Sequence, residues 1–157
     1  MPEITKGSLE GHELRIGIVV SRWNAEITDE LLAGAQRGLA ACGVLDENIT
    51  IAQVPGAFEI PIAVQKLAHE RYDAIIALGC VIKGETTHFE HVSDIAMNGI
   101  AQVALDLGVP VTCGILTTYD LAQAQARAGR DDDNKGSEAA LTAVEMANLL
   151  RSLTPEF

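Results

Sequence analysis

The stretch AIIALGCVI at residues 74–82, which leads directly into KGETTH at residues 83–88, decides the fold of this chain. It contains almost no polar side chain, which is typical of a β-strand buried on both faces of a sheet. Three further apolar stretches alternate with helical patterns, at Leu14–Val20, Ile49–Val54 and Val109–Leu116. This alternation predicts an α/β fold in which a parallel sheet lies between layers of helices.

Apolar residues between and after the strands recur at helical spacing and predict five helices. They are expected at residues 24–43, around Pro61, at 88–107, at 120–128 and at 136–153. Asn24 is placed to cap the first of them, and Pro61 suits the first turn of the second. The inner face of the long third helix is expected to carry Val92, Ile95, Ile100, Val103 and Leu107. No repeat or linker interrupts the pattern, so we expect one domain over residues 1–157.

The composition excludes several classes of protein. The chain has 157 residues and a formal net charge of −11, and 48% of its residues are hydrophobic. That fraction is too high for intrinsic disorder, the negative charge opposes binding to nucleic-acid phosphates, and no apolar run approaches the ~18 residues of a membrane span. With one Trp, two Tyr and three Phe in the whole chain, the core is expected to be aliphatic and rich in alanine.

The N-terminus and the cysteines indicate a cytoplasmic protein. Residues 1–6 have neither the basic start nor the apolar run of a signal peptide. Cys42, Cys80 and Cys113 are odd in number, far apart and set among apolar neighbours, so we expect reduced, buried thiols rather than disulfides. No two of the cysteines have the spacing of metal ligands.

Ligands bind beyond the carboxyl ends of the strands in open parallel sheets, which makes four turns candidates for a site. These turns are Ser21–Asn24, Pro55–Glu59, Lys83–His88 and Leu116–Tyr119. The Lys83–His88 turn begins a helix, so its free N–H groups suit a phosphate, and Thr86 and Thr87 add hydroxyl donors. A helix start capped by threonine explains the same residues about equally well.

Histidine and aromatic residues of these turns suggest a catalytic pocket, with alternatives. His88 stands where proton transfer at a strand end is expected, whereas His91 is expected to be structural and hydrogen-bonded to Asp94. A metal held by the two histidines remains an alternative, although the HExxH spacing is absent. Trp23 favours stacking on a planar ligand over core filling. Phe58 fits a ligand contact and a hydrophobic staple at a helix start equally well.

Six motifs taken together resemble one protein family. They are SRWN at 21–24, VPGAFEIP at 54–61, ALGCVIKGETTHF at 77–89, GILTT at 114–118, RAG at 127–129 and NKG at 134–136. In this order and spacing they resemble the signatures of the 6,7-dimethyl-8-ribityllumazine synthases, which make the penultimate intermediate of riboflavin. The resemblance covers nearly the whole chain and implies a flavodoxin-like three-layer α/β/α sandwich with a four-stranded parallel sheet. It also implies that the N-terminal segment, residues 3–12, adds a strand to a neighbouring subunit.

The resemblance also implies a reaction and a set of site residues. The family condenses 5-amino-6-(D-ribitylamino)uracil with 3,4-dihydroxy-2-butanone 4-phosphate, releasing phosphate and water, and uses no cofactor and no metal. His88 matches the residue that transfers protons. The positions that match the pyrimidine and ribityl site are Trp23, Ala57, Phe58, Glu59, Cys80, Val81, Ile82 and Cys113, the last often a phenylalanine that reaches across a subunit boundary in relatives. The positions that match the phosphate site are Glu85, Thr86 and Arg127.

Assembly is a further implication of the resemblance. Family members form homopentamers with active sites between neighbours, and many pack twelve pentamers into a sixty-subunit shell, for which riboflavin synthase is a candidate cargo. Relatives that form shells usually carry a small, basic, glycine-containing stretch before the Asn of the last motif, where this chain has RDDD at residues 130–133. The unchanged length favours the shell and the three acids oppose it, so the shell is left open.

Two other functions share the fold. One is an archaeal-type riboflavin synthase, and the other is a non-catalytic, flavin-binding shell protein. The turn suited to phosphate and Arg127 oppose the first, and the presence of both His88 and Arg127 opposes the second.

Overall fold

The structure, a computed structural model, describes residues 1–130 and 133–154. In these residues strands and helices alternate, and the sequence predicts each of them. They are β1 (Ile16–Ser21), α1 (Ala25–Ala41), β2 (Ile49–Val54), α2 (Ile60–Ala68), β3 (Ala74–Ile82), α3 (His88–Leu107), β4 (Val111–Thr118), α4 (Leu121–Ala126) and α5 (Lys135–Leu153). Single turns of 3₁₀ helix precede β2 and α2, at Asp46–Asn48 and Ala57–Glu59.

The four strands form one parallel sheet in the order β2-β1-β3-β4. β1 and β3 lie at its centre, where Val20 pairs with Gln53 on one side and Leu78 on the other. From β1 the chain passes first to one side of the sheet, to β2, and then to the other, to β3. This reversal is the topological switch point of doubly wound folds, and it opens a crevice at the carboxyl ends of β1 and β3. The predicted flavodoxin-like fold is therefore confirmed.

Helices cover both faces of the sheet. Ile76 and Leu78 of β3 pack in the cluster that includes α1, α4 and α5, whereas Ile75 and Ala77 pack in the cluster that includes α2 and α3. The core is aliphatic, as predicted, because no aromatic side chain of the described residues is fully buried. Nowhere in residues 1–130 or 133–154 is a helix long and apolar enough to cross a membrane.

Two strands begin later than the sequence predicts. β1 begins at Ile16 rather than Leu14, because the Leu14 N–H donates to the carbonyl oxygen of Gly11 at 2.9 Å in the preceding turn. β4 begins at Val111 rather than Val109, because Pro110 has no N–H to donate to the sheet, and it ends at Thr118 rather than Leu116. α4 is also shorter than predicted, and Asp120 Oδ1 caps it by accepting the Gln123 N–H at 2.8 Å.

Two side-chain predictions are wrong. Ile95 is 45% exposed, because Ser93 and Ala96 occupy the buried face of α3 in its place. Small side chains there let the helix approach the sheet and α2 closely. Cys113 is exposed rather than buried, since it lies on the edge strand β4, although Cys42 and Cys80 are buried as expected. Cys113 Sγ contacts Met97 Sδ at 3.3 Å.

The N-terminal segment lies against α5 of its own chain. The Asn148 side-chain amide donates to the carbonyl oxygens of Ser8 at 2.9 Å and Glu10 at 3.0 Å. Before this attachment the segment is open to solvent, and Ile4 is 92% exposed. It contains no strand of its own, so strand exchange with a neighbouring subunit stays a prediction.

Candidate active site

A pocket of about 410 Å³ lies at the carboxyl ends of β1 and β3, at the switch point of the sheet. It is lined by Trp23, Asn24, Ala57, Phe58, Glu59, Cys80, Val81, Ile82, His88 and Val92. The turn after β1, the 3₁₀ turn before α2, the end of β3 and the start of α3 all contribute. The structure therefore brings together residues that three separate motifs supply.

Two aromatic rings of this pocket remain open to solvent. Trp23 is 59% exposed and Phe58 is 55% exposed. The backbone N–H of Trp23 donates to the carbonyl oxygen of Pro55 at 3.0 Å, and this bond joins the turn after β1 to the turn after β2. A Cβ on Gly56 would lie 2.6 Å from Cζ3 of the indole, so only glycine lets the ring lie flat on this turn. Exposed, fixed aromatic faces of this kind suit a planar ligand.

Asn24 does not cap α1 through its side chain, which corrects the sequence prediction. Its backbone adopts the left-handed conformation with φ 62°, which asparagine tolerates better than most residues. The carboxamide turns away from the helix and donates to the carbonyl oxygen of Cys80 at 2.9 Å. Asn24 thus gives the pocket a polar side chain, whose Oδ1 is not used in this hydrogen bond. A planar ligand with polar edges can use such a group.

Cys80 contributes shape rather than reactivity. It is 5% exposed, and burial raises the pKa of its thiol to about 11. The thiol therefore stays protonated at neutral pH, whereas the thiolate is the nucleophile and the metal ligand. Burial therefore disfavours the thiolate that covalent catalysis by Cys80 would need.

Glu59 carries a carboxylate oxygen with no partner. Its Oε2 is buried and accepts no hydrogen bond from the described residues. A buried carboxylate oxygen without a donor is costly, because the lost hydration is not replaced. Glu59 also lines the pocket, so its carboxylate is a candidate acceptor for a ligand hydroxyl group.

The Lys83–His88 turn leads into α3, and all six of its residues are exposed. Thr86 Oγ1 accepts the backbone N–H of His88 at 3.3 Å, which leaves the Thr86 hydroxyl hydrogen free to donate. Thr87, the residue before the helix, makes no capping bond with its side chain. The prediction of a helix start capped by threonine is therefore correct in part, because Thr86 accepts one N–H of the first turn of α3. The turn still has unused N–H donors at the positive end of the helix dipole.

His88 is the histidine that reaches the pocket. It lines the pocket at the first position of α3, whereas His91 is exposed and lies outside the lining. The predicted hydrogen bond between His91 and Asp94 is not among those of the described residues, so His91 is not held as a structural group. No cluster of three or more His, Cys, Asp and Glu side chains suited to a metal occurs within residues 1–130 and 133–154.

Two of the predicted site residues lie elsewhere. Cys113 and Arg127 line a groove of about 220 Å³ along β4, together with Thr117, Thr118 and Lys135. Arg127 is exposed, and its Nη1 donates to the carbonyl oxygen of Gln123 at 2.9 Å. Within one chain, the pocket and this groove are separate. Glu85 and Thr86 belong to the turn beside the pocket but are not part of its lining.

Several residues that line the two sites, among them Asn24, Val92 and Lys135, were not singled out as ligand contacts by the sequence. Asn24 and Val92 line the pocket, and Lys135 lines the groove. The position of Asn24 directly after β1 was an available signal, since polar residues at the carboxyl ends of strands face the switch point. Lys135 gave no such signal, because a lysine at the start of a helix is usually solvated.

The family model of 6,7-dimethyl-8-ribityllumazine synthase matches residues 13–151 of the 157-residue chain. This range includes every strand, every helix except the last two residues of α5, and both groups of site residues. The family's enzymes are transferases of riboflavin biosynthesis, and neither alternative function is favoured by this match. The chain belongs to the 6,7-dimethyl-8-ribityllumazine synthase family, whose members condense 5-amino-6-(D-ribitylamino)uracil with 3,4-dihydroxy-2-butanone 4-phosphate.

Proposed function

We propose that the pocket of one subunit binds the pyrimidine substrate and that Arg127 of a second subunit binds the phosphate of the other substrate. One observation carries the proposal. Among the described residues, no lysine or arginine lines the aromatic pocket, whereas Arg127 lies exposed in a separate groove on the edge strand β4. A phosphate dianion in a protein of net charge −11 needs a cation close to it. Lys83 of the same chain, which follows Ile82 of the pocket, lies over the Tyr119 ring at 5.4 Å from its centroid, so we infer that a neighbouring copy supplies the cation.

The pyrimidine stacks on Trp23 and contacts Phe58, since both rings are exposed at the pocket. The polar edges of the ring meet Asn24 and the backbone at Val81 and Ile82, where β3 ends. The ribityl chain, which carries several hydroxyl groups, donates to the carboxylate of Glu59, which lines the pocket. Ala57 and Cys80 fill the remaining walls with small side chains.

The phosphate binds at the start of α3, where the turn offers backbone N–H groups and the Thr86 hydroxyl. At Glu85 we expect the backbone N–H to make the contact, because a carboxylate repels a phosphate. Arg127 adds a planar pair of donors that matches two phosphate oxygens. Cys113, next to Arg127 in the groove, contacts the pyrimidine from the second subunit.

His88 transfers protons between the two substrates. The amine of the pyrimidine attacks the ketone, water leaves to give a Schiff base, phosphate is eliminated, and the ribitylamino nitrogen closes the ring with loss of water. Each step moves a proton, and imidazole is the side-chain group best suited to this at neutral pH. The nucleophile belongs to the substrate, so the enzyme's main task is to hold two reactants together, which can lower a barrier by about 7–11 kcal/mol.

This site requires an assembly in which each groove faces the pocket of another copy, as it can in a ring of copies. A homopentamer meets that requirement. The outer edge of β2 is free to accept a strand, Ile51 on it is 42% exposed, and the exposed residues 1–6 are available to a neighbour. Whether pentamers form a shell depends on the 130–133 loop, of which Asp131 and Asp132 lie outside the described residues. We also propose that the subunit is a single domain and works in the cytoplasm, and the three free cysteines support that compartment.

The experiment that tests this function mixes the purified protein with both substrates and follows the absorbance and fluorescence of 6,7-dimethyl-8-ribityllumazine. Product formation that needs both substrates, together with stoichiometric release of phosphate, is expected. Conversion of 6,7-dimethyl-8-ribityllumazine itself to riboflavin, or no reaction with either substrate set, would contradict the proposal.

A further inference from the structure

Asn134 joins three parts of the structure through one buried side chain. It is 5% exposed and immediately precedes α5. Its Nδ2 donates to the carbonyl oxygen of Glu30 in α1 at 3.0 Å and to that of Gly129 at 2.9 Å. Its Oδ1 accepts the backbone N–H of Ser137, in the first turn of α5, at 3.0 Å. Every hydrogen of the amide group and one oxygen lone pair are therefore used.

Two glycines make the space for this side chain. A Cβ on Gly34 of α1 would lie 2.5 Å from Asn134 Nδ2, a distance that no real contact shows. A Cβ on Gly136 would lie 2.8 Å from the carbonyl carbon of Leu31, so α5 begins in backbone contact with α1. α1 therefore packs directly against the Asn134 side chain, and α1 cannot move away without losing its backbone contact with the start of α5.

The same side chain fixes the segment that carries Arg127. Asn134 pairs with Ala128 in an antiparallel bridge, and the Lys135 N–H donates to the carbonyl oxygen of Arg127 at 2.9 Å. The Gly129 carbonyl that accepts from Asn134 lies two residues beyond Arg127. The backbone of Arg127 is therefore held against the start of α5, while its guanidinium extends into the groove along β4.

We propose that Asn134 is a positioning residue for Arg127, and that it sets the affinity of the enzyme for the phosphorylated substrate. The inference rests on the proposed role of Arg127 in binding phosphate. Bidentate recognition of a phosphate depends on the orientation of the guanidinium plane, so a small displacement of the backbone weakens it. The pyrimidine pocket is formed by the turn after β1, the 3₁₀ turn before α2, the end of β3 and the start of α3. Asn134 bonds to none of these residues, so binding of the pyrimidine is not expected to change.

The first test variant is Asn134→Asp, which keeps the volume and shape of the side chain. The carboxylate replaces the two N–H donors by an acceptor that faces the carbonyl oxygens of Glu30 and Gly129, and the segment is pushed off α1. The second variant, Gly34→Ala, reaches the same carboxamide from α1, about a hundred positions away in the sequence. Because it leaves Asn134 in place, it keeps the test valid if Asn134→Asp fails to fold.

Two control variants disturb the same region without touching Asn134. Gly38→Ala crowds the interface of α1 with α5 one turn further on, where its Cβ would lie 3.0 Å from that of Ala140. Thr112→Val removes the buried hydrogen bond from Thr112 Oγ1 to the carbonyl oxygen of Ala139, 2.9 Å long, which ties β4 to α5. Both should lower the melting temperature of the assembled enzyme as the test variants do.

Steady-state kinetics of the assembled enzyme, with each substrate varied separately, give the readout. Asn134→Asp and Gly34→Ala are expected to raise the KM for 3,4-dihydroxy-2-butanone 4-phosphate by about tenfold or more, on the scale of one lost charged contact. The KM for the pyrimidine should stay within about twofold of its original value. Gly38→Ala and Thr112→Val should leave both KM values unchanged.

Arg127→Ala separates failure of this inference from failure of the proposed function. If Arg127→Ala raises the KM for the phosphorylated substrate and both test variants leave it unchanged, or change it no more than the controls do, the inference about Asn134 is wrong. If Arg127→Ala itself leaves that KM unchanged, the phosphate role of Arg127 is wrong and the inference falls with it.

Discussion

Replacement of Trp23 by alanine should weaken pyrimidine binding by an amount that the structure allows us to work out. A fully covered indole buries about 150–250 Å², and 59% of Trp23 is exposed at the pocket. A planar ring stacked on one face would remove roughly 80 Å² of this apolar surface from water, which at about 25 cal/mol per Å² contributes ~2 kcal/mol. Trp23→Ala should therefore raise the dissociation constant of the pyrimidine about 30-fold.

Isothermal titration of the pyrimidine substrate into the protein measures this change without the second substrate. Trp23 is the only tryptophan of the chain, so quenching of the original protein's fluorescence by the pyrimidine gives an independent signal of stacking. Tyr119→Ala is a matched control, since Tyr119 is 68% exposed and lies outside the pocket lining. A loss of less than about threefold for Trp23→Ala, or an equal loss for Tyr119→Ala, would refute the stacking argument.

Three further changes test other parts of the structure. His88→Ala should lower kcat by about 10²–10⁴-fold, which is the usual contribution of a general acid–base group. The dissociation constant of the pyrimidine, measured by titration, should stay nearly unchanged. An unaltered kcat would show that His88 takes no part in the chemistry. Asp73→Ala removes the carboxylate that accepts the Arg15 N–H at 2.8 Å and Arg151 Nη2 at 3.0 Å; because this ion pair is partly exposed, urea unfolding should show a loss of about 1–2 kcal/mol, and no loss would contradict the role of this contact. Burial raises the Cys80 pKa from 9.0 to about 11, so the folded state holds this proton more tightly than the unfolded state. The stability that comes from this tighter proton binding is present below pH 9 and is lost as the pH rises towards 11. Across that range the free energy of unfolding of the wild-type protein should fall by about 2–3 kcal/mol more than that of Cys80→Ala. Equal losses in the two proteins would contradict the raised pKa of Cys80.

The order and kind of the elements follow from local sequence. β3 and β2 have the limits that their apolar residues predict, because the sequence around them contains clear breaks. The starts of β1 and β4 are displaced, since Leu14 donates to a turn and Pro110 cannot donate at all. Hydrogen-bond partners of this kind depend on where the neighbouring strand lies, which a single segment does not reveal.

Side-chain placement was less predictable where two surfaces compete for one residue. Helical periodicity assigns Ile95 to the inner face of α3, but α3 packs against α2 as well as against the sheet, and Ser93 and Ala96 take the buried positions. Asn24 fits both a helix cap and a pocket wall, and only its left-handed backbone decides between them. The sequence predicts that each of these residues matters locally, and the tertiary contacts determine how.

The candidate site was predictable in part for a different reason. Trp23, Phe58 and His88 stand at the carboxyl ends of strands or at the helix starts that follow them, and the rule for parallel sheets brings such residues together. Arg127 and Cys113 follow no such rule, because their groove lies at the edge of the sheet and is separate from the pocket within one chain. Their relation to the pocket depends on a second copy, whose position the sequence of one chain does not specify.

The most direct test of the central claim is a subunit-mixing experiment with His88→Ala and Arg127→Ala. The two variants carry different affinity tags, are co-expressed in equal amounts, and are purified through both tags so that every assembly contains both kinds of subunit. Activity is measured at a low concentration of the phosphorylated substrate, where each pure variant is nearly inactive. If a site takes His88 from one subunit and Arg127 from the next, about one quarter of the sites in a random mixture are intact, and roughly that fraction of the original activity returns. If both residues act within one chain, no intact site forms, and mixed assemblies as inactive as the pure variants would contradict the shared active site.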